Sequence, residues 1–207
     1  MESSIEALYD SALLLYEELR YEDAIAPLKQ AADSGHLLAA EKLANCYNRT
    51  GSPELAVPYW EICRKANNHS ANTNYAGYLR NFADKQELAL ELWRNAADAG
   101  IPQAAFNYGV WLKNNDQVEL GKEYLKKSAD LGYTDGYFVL AGIYYRAQEW
   151  AEAKEALKPL LALEDTRAAD LLAEIELRES PGYFEINNPS LSTPIVNSPK
   201  QKGIDWI

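Results

Sequence analysis

Residues 96–104 read AADAGIPQA. Two alanines can close a helix end against a neighbour, Gly100 can stop the helix in a left-handed conformation, Pro102 can start the next helix, and Ala104 supplies another small side chain. The stretch recurs. Gly35, Asn67, Gly100, Gly132 and Glu164 fall in one stop column, 32 or 33 residues apart. Eleven residues before each stop stand Ala24, Ala56, Ala89, Gly121 and Ala153, and seven after those come Ala31, Cys63, Ala96, Ser128 and Leu160. Four after each stop come Ala39, Ala71, Ala104, Gly136 and Ala168, and nine after come Ala44, Ala76, Gly109, Ala141 and Ala173. Self-similarity at this period predicts stacked helix pairs, each leaving an apolar face that only the next pair can cover.

Outward from this stretch, apolar periodicity predicts five helix pairs: 3–19 with 21–34, 37–48 with 53–66, 71–82 with 85–99, 102–113 with 117–131, and 135–147 with 149–163. Ser3 with Glu6, Asp84 with Glu87 and Asp116 with Glu119 have capping-box spacing, and Ser52 precedes Pro53 as a cap. Pro27 and Pro58 fall inside second helices, where each should remove a hydrogen bond or bend the helix. A lone helix at 166–179 keeps Ala168 and Ala173 but carries Glu176 where earlier repeats have Tyr47, Leu79, Leu112 and Tyr144, as a terminal cap requires. The fold class is therefore all-α, a right-handed superhelical solenoid over 1–180. Residues 181–207 form an extended tail containing Pro181, Pro189, Pro194 and Pro199 and ending in GIDWI. Trp206 and Ile207 are costly to leave in water, so the tail is expected to lie against its own solenoid or a neighbouring copy.

Apolar residues make up 47% and charged residues 25% of the 207, a globular composition. The formal net charge of −11 lies wholly in the first 180 residues, because Lys200 and Lys202 cancel Glu185 and Asp205. That charge speaks against nucleic acid and against an anionic membrane surface. No apolar run approaches the roughly 20 residues that span a bilayer, and the N-terminus lacks the basic start of a signal peptide. Cys46 and Cys63 fall on antiparallel helices with an axial offset of roughly 12 Å at 1.5 Å per residue, too far for a disulfide. Both read as buried thiols in a reducing, cytoplasmic setting.

The columns resemble the Sel1-like repeat, a relative of the tetratricopeptide repeat. The resemblance rests on AADSGH at 31–36 with Ala39 and Ala40 beyond, and on AADAG at 96–100 with Ala104 and Ala105 beyond. A large residue followed by a small one comes next (Leu43 and Ala44, Tyr108 and Gly109), and Trp93 stands three residues before an alanine pair. It covers roughly residues 5–180. The link within each pair lacks the family's glycine-rich insertion, so that half is closer to a tetratricopeptide repeat. The resemblance implies a protein-binding adaptor or scaffold, with the exposed face of each first helix lining a concave groove.

Chemistry is sparse. His36 and His69 both stand just past a stop, where the family commonly carries histidine, and read as junction residues. No phosphate loop, metal-ligand spacing or activated serine appears, so neither enzyme nor cofactor is implied. Trp60 and Trp93 share a core column with Leu28, Leu125 and Leu157, whereas Trp111 and Trp150 lie off it and should be partly exposed.

The candidate partner-binding residues end the first helices: Asn48 and Arg49, Arg80 and Asn81, Lys113 and Asn114, Tyr145 and Arg146, with the cations 31, 33 and 33 residues apart. Asn45, Thr73, Phe106 and Phe138 come mid-helix, with Tyr9 and Tyr16 in the first pair. Cations at helix C-termini also simply complement the dipole, for about 0.3–1 kcal/mol each. Stacking should nevertheless align them into a ladder that suits a protein or peptide with acidic groups. The alternative keeps the fold and uses the acidic convex face to neutralise a basic protein, as a toxin-immunity protein would.

Overall fold

The computed structural model of the chain describes residues 2–80 and 85–180. Asn81, Asp84, the side chain of Ser3 and the tail at 181–207 lie outside that description. Eleven helices are present among the described residues: α1 (Glu2–Glu17), α2 (Tyr21–Asp33), α3 (Leu37–Arg49), α4 (Pro53–Lys65), α5 (His69–Leu79), α6 (Gln86–Asp98), α7 (Pro102–Asn114), α8 (Val118–Asp130), α9 (Asp135–Arg146), α10 (Trp150–Leu161) and α11 (Thr166–Glu179). The regular structure described is all helical, in five pairs and a lone helix. The chain divides into two compact units, Met1–Tyr108 and Gly109–Ile207, with α7 beginning in the first and ending in the second.

The stop column is a column of left-handed backbone. Gly35, Gly100 and Gly132 have φ of 94°, 90° and 99°, and Asn67 and Glu164 have 55° and 57°. This conformation turns the chain so that the N–H after each stop reaches back into the finished helix: His36 to Ala31 O at 3.1 Å, Asn68 to Cys63 O at 2.9 Å, Ile101 to Ala96 O at 3.0 Å, Tyr133 to Ser128 O at 3.0 Å and Asp165 to Leu160 O at 3.1 Å. It is the Schellman closure. Its acceptors are the small-residue column, where side chains are 0–1% exposed.

A second left-handed column closes the first helix of four of the five pairs, and the sequence hides it. Leu19, Gly51, Asp116 and Gln148 have φ of 61°, 80°, 61° and 61°. The following N–H groups bond back to Leu15, Tyr47, Leu112 and Tyr144 at 2.9–3.0 Å. Three of the four residues carry side chains, so no glycine period shows. Asp116 is therefore a turn residue rather than the expected cap, and Gln117 opens α8 without a side-chain cap bond. Ser52 holds the N-cap position of α4 but makes no cap bond through its side chain either.

Small columns set the packing. Ala24, Ala56, Ala89 and Ala153 are fully buried, as are Ala44, Ala76 and Ala141 that face the same cores. In the second unit glycine replaces alanine for close approach: a Cβ on Gly109 would stand 3.0 Å from Gly121 O, and one on Gly136 would stand 2.5 Å from Leu125 O. Trp60 and Trp93 are 0% and 1% exposed, and Trp111 and Trp150 are half-buried. Helices α2, α4 and α10 run through Pro27, Pro58 and Pro159. On α11, Ala168, Leu171 and Ile175 are buried while Ala173 and Glu176 are exposed, with no further helix pair beyond them among the described residues. Cys46 and Cys63 are free and buried, and burial pushes both thiols up to about 11.

Gly136→Ala should cost about 1–3 kcal/mol through overpacking, whereas Gln148→Gly should stabilise by roughly 1 kcal/mol by relieving left-handed strain. Urea denaturation of the two variants checks both signs. Because the raised pKa keeps the folded thiols protonated at pH 8–9, alkylation there should proceed only as fast as the chain opens. Above the ordinary thiol pKa of about 8.5, ionisation favours the unfolded chain, so stability should fall as pH rises further. Native-state labelling as fast as that of a free thiol would contradict this burial.

Candidate functional site

The junctions are built by side chains that cap the helix after each stop. His36 Nδ1 accepts the Ala39 N–H at 3.0 Å, so the ring proton sits on Nε2, which faces Glu6 Oε2 at 3.3 Å. The ring also stacks on Tyr9 with centroids 4.4 Å apart. In the same column Asn68 Oδ1 accepts from Ala71 N–H at 3.0 Å, and Asp165 Oδ1 from Arg167 N–H at 2.9 Å. Asn68 does more. Its Nδ2 donates to Glu41 Oε2 at 2.7 Å, and Ser70 Oγ donates to Glu41 Oε1 at 3.0 Å, so a buried carboxylate on α3 ties down the start of α5. His69 opens α5, and its carbonyl accepts from Thr73 Oγ1 at 2.9 Å. Both histidines thus sit where helices begin.

In the first unit the candidate residues form a polar line across the first helices. Asn74 on α5 donates to Asn45 Oδ1 on α3 at 2.8 Å, and Asn45 in turn hydrogen-bonds Tyr16 on α1. Burial pushes the Tyr16 hydroxyl up, opposed by that bond and by nearby Arg49. Lys42 Nζ lies 4.9 Å from the Tyr16 ring centre. Asn48 and Arg49 are exposed at the end of α3, and Phe106 is half-buried in the first part of α7. Arg80, the C-cap of α5, lies over Trp93, 5.9 Å from the ring, whose Nε1 donates to Thr73 O at 3.1 Å.

In the second unit the structure brings Lys113 to Arg146. Lys113 is half-buried, and its ammonium is held below the usual lysine range by burial and then by Arg146. It makes no ion pair among the described residues. Asn114 beside it is exposed. Tyr145 is edge-on to Trp150 with centroids 5.6 Å apart, and its hydroxyl donates to Glu174 Oε1 at 3.1 Å. Arg178, bonded to the same carboxylate oxygen at 2.6 Å, lies 5.0 Å from the Tyr145 ring centre. Arg167 covers Phe138 at 4.9 Å and pairs with Asp135 at 2.9 Å. Phe138 and Tyr145 therefore meet α11 before any partner does.

Arg178 was legible in the period, since it stands 32 residues after Arg146, one helix beyond the last complete pair. Asn74 and Arg167 were not, because neither shares a column with a like residue. No group of three or more His, Cys, Asp or Glu that could hold a metal ion occurs among the described residues, and none of their helices is long and apolar enough to cross a membrane.

No protein-family model matches the chain, and no curated protein sequence matches it. Solved structures do. It is similar to c5321, a protective antigen of uropathogenic Escherichia coli strains with an SLR fold, at TM-score 0.74 and 16% identity over 95% of this chain and 50% of that one. A Sel1 repeat protein from Oxalobacter formigenes matches at TM-score 0.69 and 15% identity, covering 84% of this chain and 78% of that one. Immunity protein Pa5087 from Pseudomonas aeruginosa matches at TM-score 0.56 and 20% identity over 87% and 74% of the two chains. The chain spans half the length of the E. coli protein. Its fold is the Sel1-like, tetratricopeptide-like α-solenoid.

Asn68→Ala should lower stability by about 2 kcal/mol, since it removes a helix cap and a donor to a buried carboxylate. Asn68→Asp should not rescue it, because it restores the cap but sets a second carboxylate beside Glu41. Thermal unfolding of the two variants, with circular dichroism as the signal, checks the ordering.

Proposed function

We propose that this chain is a non-enzymatic protein-interaction module whose first-helix faces hold a segment of a partner protein. One solenoid over 1–180 and a tail at 181–207 belong to the same reading, as do an adaptor or scaffold role and cytoplasmic residence. The observation that carries it is Lys113: a half-buried cation beside a second cation, without a carboxylate partner among the described residues of a protein of charge −11. Burying such a charge unpaired is unfavourable, and an acidic side chain or main-chain carboxylate arriving on a partner would relieve it. Tyr145, Trp150 and Arg178, which contact one another elsewhere in the second unit, are the residue types that anchor interfaces. In the first unit, the Tyr16, Asn45 and Asn74 line offers amides that suit an extended backbone.

The acidic alternative keeps some support from the net charge and from the likeness to an immunity protein's fold. Under it, binding to a basic protein would slow steeply with added salt and ignore substitutions at Lys113.

Lys113→Glu with Arg146→Glu should weaken capture of the partner by about tenfold or more, read by quantitative mass spectrometry of co-purified proteins. Helicity and melting temperature should stay close to those of the parent. Unchanged capture of the same proteins by the double variant would overturn the assignment. Arg80→Glu serves poorly as a test, because it also uncovers Trp93.

A further inference from the structure

Helix α4 buries Ala56, Trp60 and Cys63 completely and turns a second apolar stripe outward. Leu55 and Ile62 are 51% and 46% exposed, and Pro58 between them is exposed as well. Their spacing, i, i+3 and i+7, sets them on one face over about 10 Å of helix axis. The repeat does not require this stripe. Where α4 has Pro58, α6, α8 and α10 have Glu91, Glu123 and Glu155, and where it has Ile62, α2, α6 and α8 have Gln30, Asn95 and Lys127. A contiguous apolar stripe, unlike scattered single residues, marks an interaction surface. Its flanks are acidic. Tyr59 Oη donates to Asp33 of α2 at 3.3 Å. The Arg64 guanidinium is pushed above its ordinary range by its bonds to Glu61, at 2.9 and 2.7 Å, and from farther off by Glu91 of α6. Both neighbouring second helices therefore border α4. The nearby cations Lys29 and Arg64 are paired with Asp33 and Glu61, and Lys65 stands in the last turn of α4, where it complements the helix dipole. Glu54 and Glu91, by contrast, are exposed and make no ion pair among the described residues.

We propose that this face of α4 docks a helix of a basic partner protein, whose apolar ridge packs on Leu55, Pro58 and Ile62 and whose lysine or arginine side chains meet Glu54 and Glu91. Residues spaced i, i+3 and i+7 form the ridge that a second helix packs against. Charge selects the occupant. Glu54 and Glu91 are without cations that a basic helix supplies, and a body of charge −11 attracts such a protein from a distance. A second copy would set the same acids against one another and add a further charge of −11, which disfavours it. The proposal rests on the acidic reading for its class of partner and adds the place where that partner docks. It does not depend on the first-helix face.

The probe is a synthetic leucine–lysine peptide of about 18 residues, roughly five helical turns, with its leucines at helical spacing. It is titrated into the full chain while the leucine and isoleucine methyl groups are followed by NMR, with a scrambled peptide of the same composition as control. The amphipathic peptide should shift the Leu55 and Ile62 methyls first and bind about tenfold tighter than the scrambled one. Leu55→Gln/Ile62→Gln should weaken it by about tenfold or more, with little change in melting temperature because both positions are exposed. Glu54→Lys/Glu91→Lys should weaken it at low salt and flatten its salt dependence. Shifts centred on other helices, equal binding of the scrambled peptide, or affinity untouched by Leu55→Gln/Ile62→Gln overturns the proposal. Two other occupants would overturn it as well. A second copy would show in sedimentation as a dimer that Leu55→Gln/Ile62→Gln abolishes, and residues 181–207 of the chain itself as Overhauser contacts to the Leu55 or Ile62 methyls in the free protein. The readings fail separately: binding that falls steeply with salt but ignores Leu55→Gln/Ile62→Gln keeps the acidic reading and removes α4 as its place. No binding of either peptide at low salt removes both.

Discussion

The structure depends on one repeated constraint, the left-handed closure that ends nine of the eleven described helices and returns an N–H to a carbonyl three or more residues inside the helix. The closure fixes where a helix stops and the direction in which the next one starts. It requires a carbonyl on a residue that can sit against a neighbouring helix, which is why the acceptors at Ala31, Cys63, Ala96, Ser128 and Leu160 are buried. Everything else follows from that placement. Small columns let helices approach, and the caps at His36, Asn68 and Asp165 satisfy the next helix start.

Within the second unit, the ends of α7 and α9 bring like charges near each other. Negative helix C-termini favour cations, so Arg49, Lys113, Arg146 and Arg178 are each locally reasonable. Their neighbours differ. Arg178 is answered by Glu174, and Arg80 is drawn over Trp93, whereas Lys113 meets Arg146. A dipole explanation accounts for a cation at each helix end but not for burying one beside another. Cations that share a column therefore differ in what answers them.

The acidic surface and the basic ends are compatible. Carboxylates stand in the first turns of second helices, Glu22 and Asp23 on α2 and Glu87 on α6 among them, and acidic charge of this kind repels unselected anions.

The sequence by itself determined the repeat, the helix pairs and the core. Small residues recur because helix approach forbids larger ones, and glycine recurs at the stop because left-handed backbone favours it. The within-pair turns escaped notice because Leu19, Asp116 and Gln148 adopt that backbone under tertiary constraint, with no glycine to mark them. The candidate face was legible as a column of cations. Only the tertiary structure decided what each of them meets, since the period says where a side chain starts but not what it touches. Trp93 under Arg80, Glu174 beside Arg178 and Arg146 beside Lys113 come from different helices. Through-space charge and burial, invisible along the chain, set their roles.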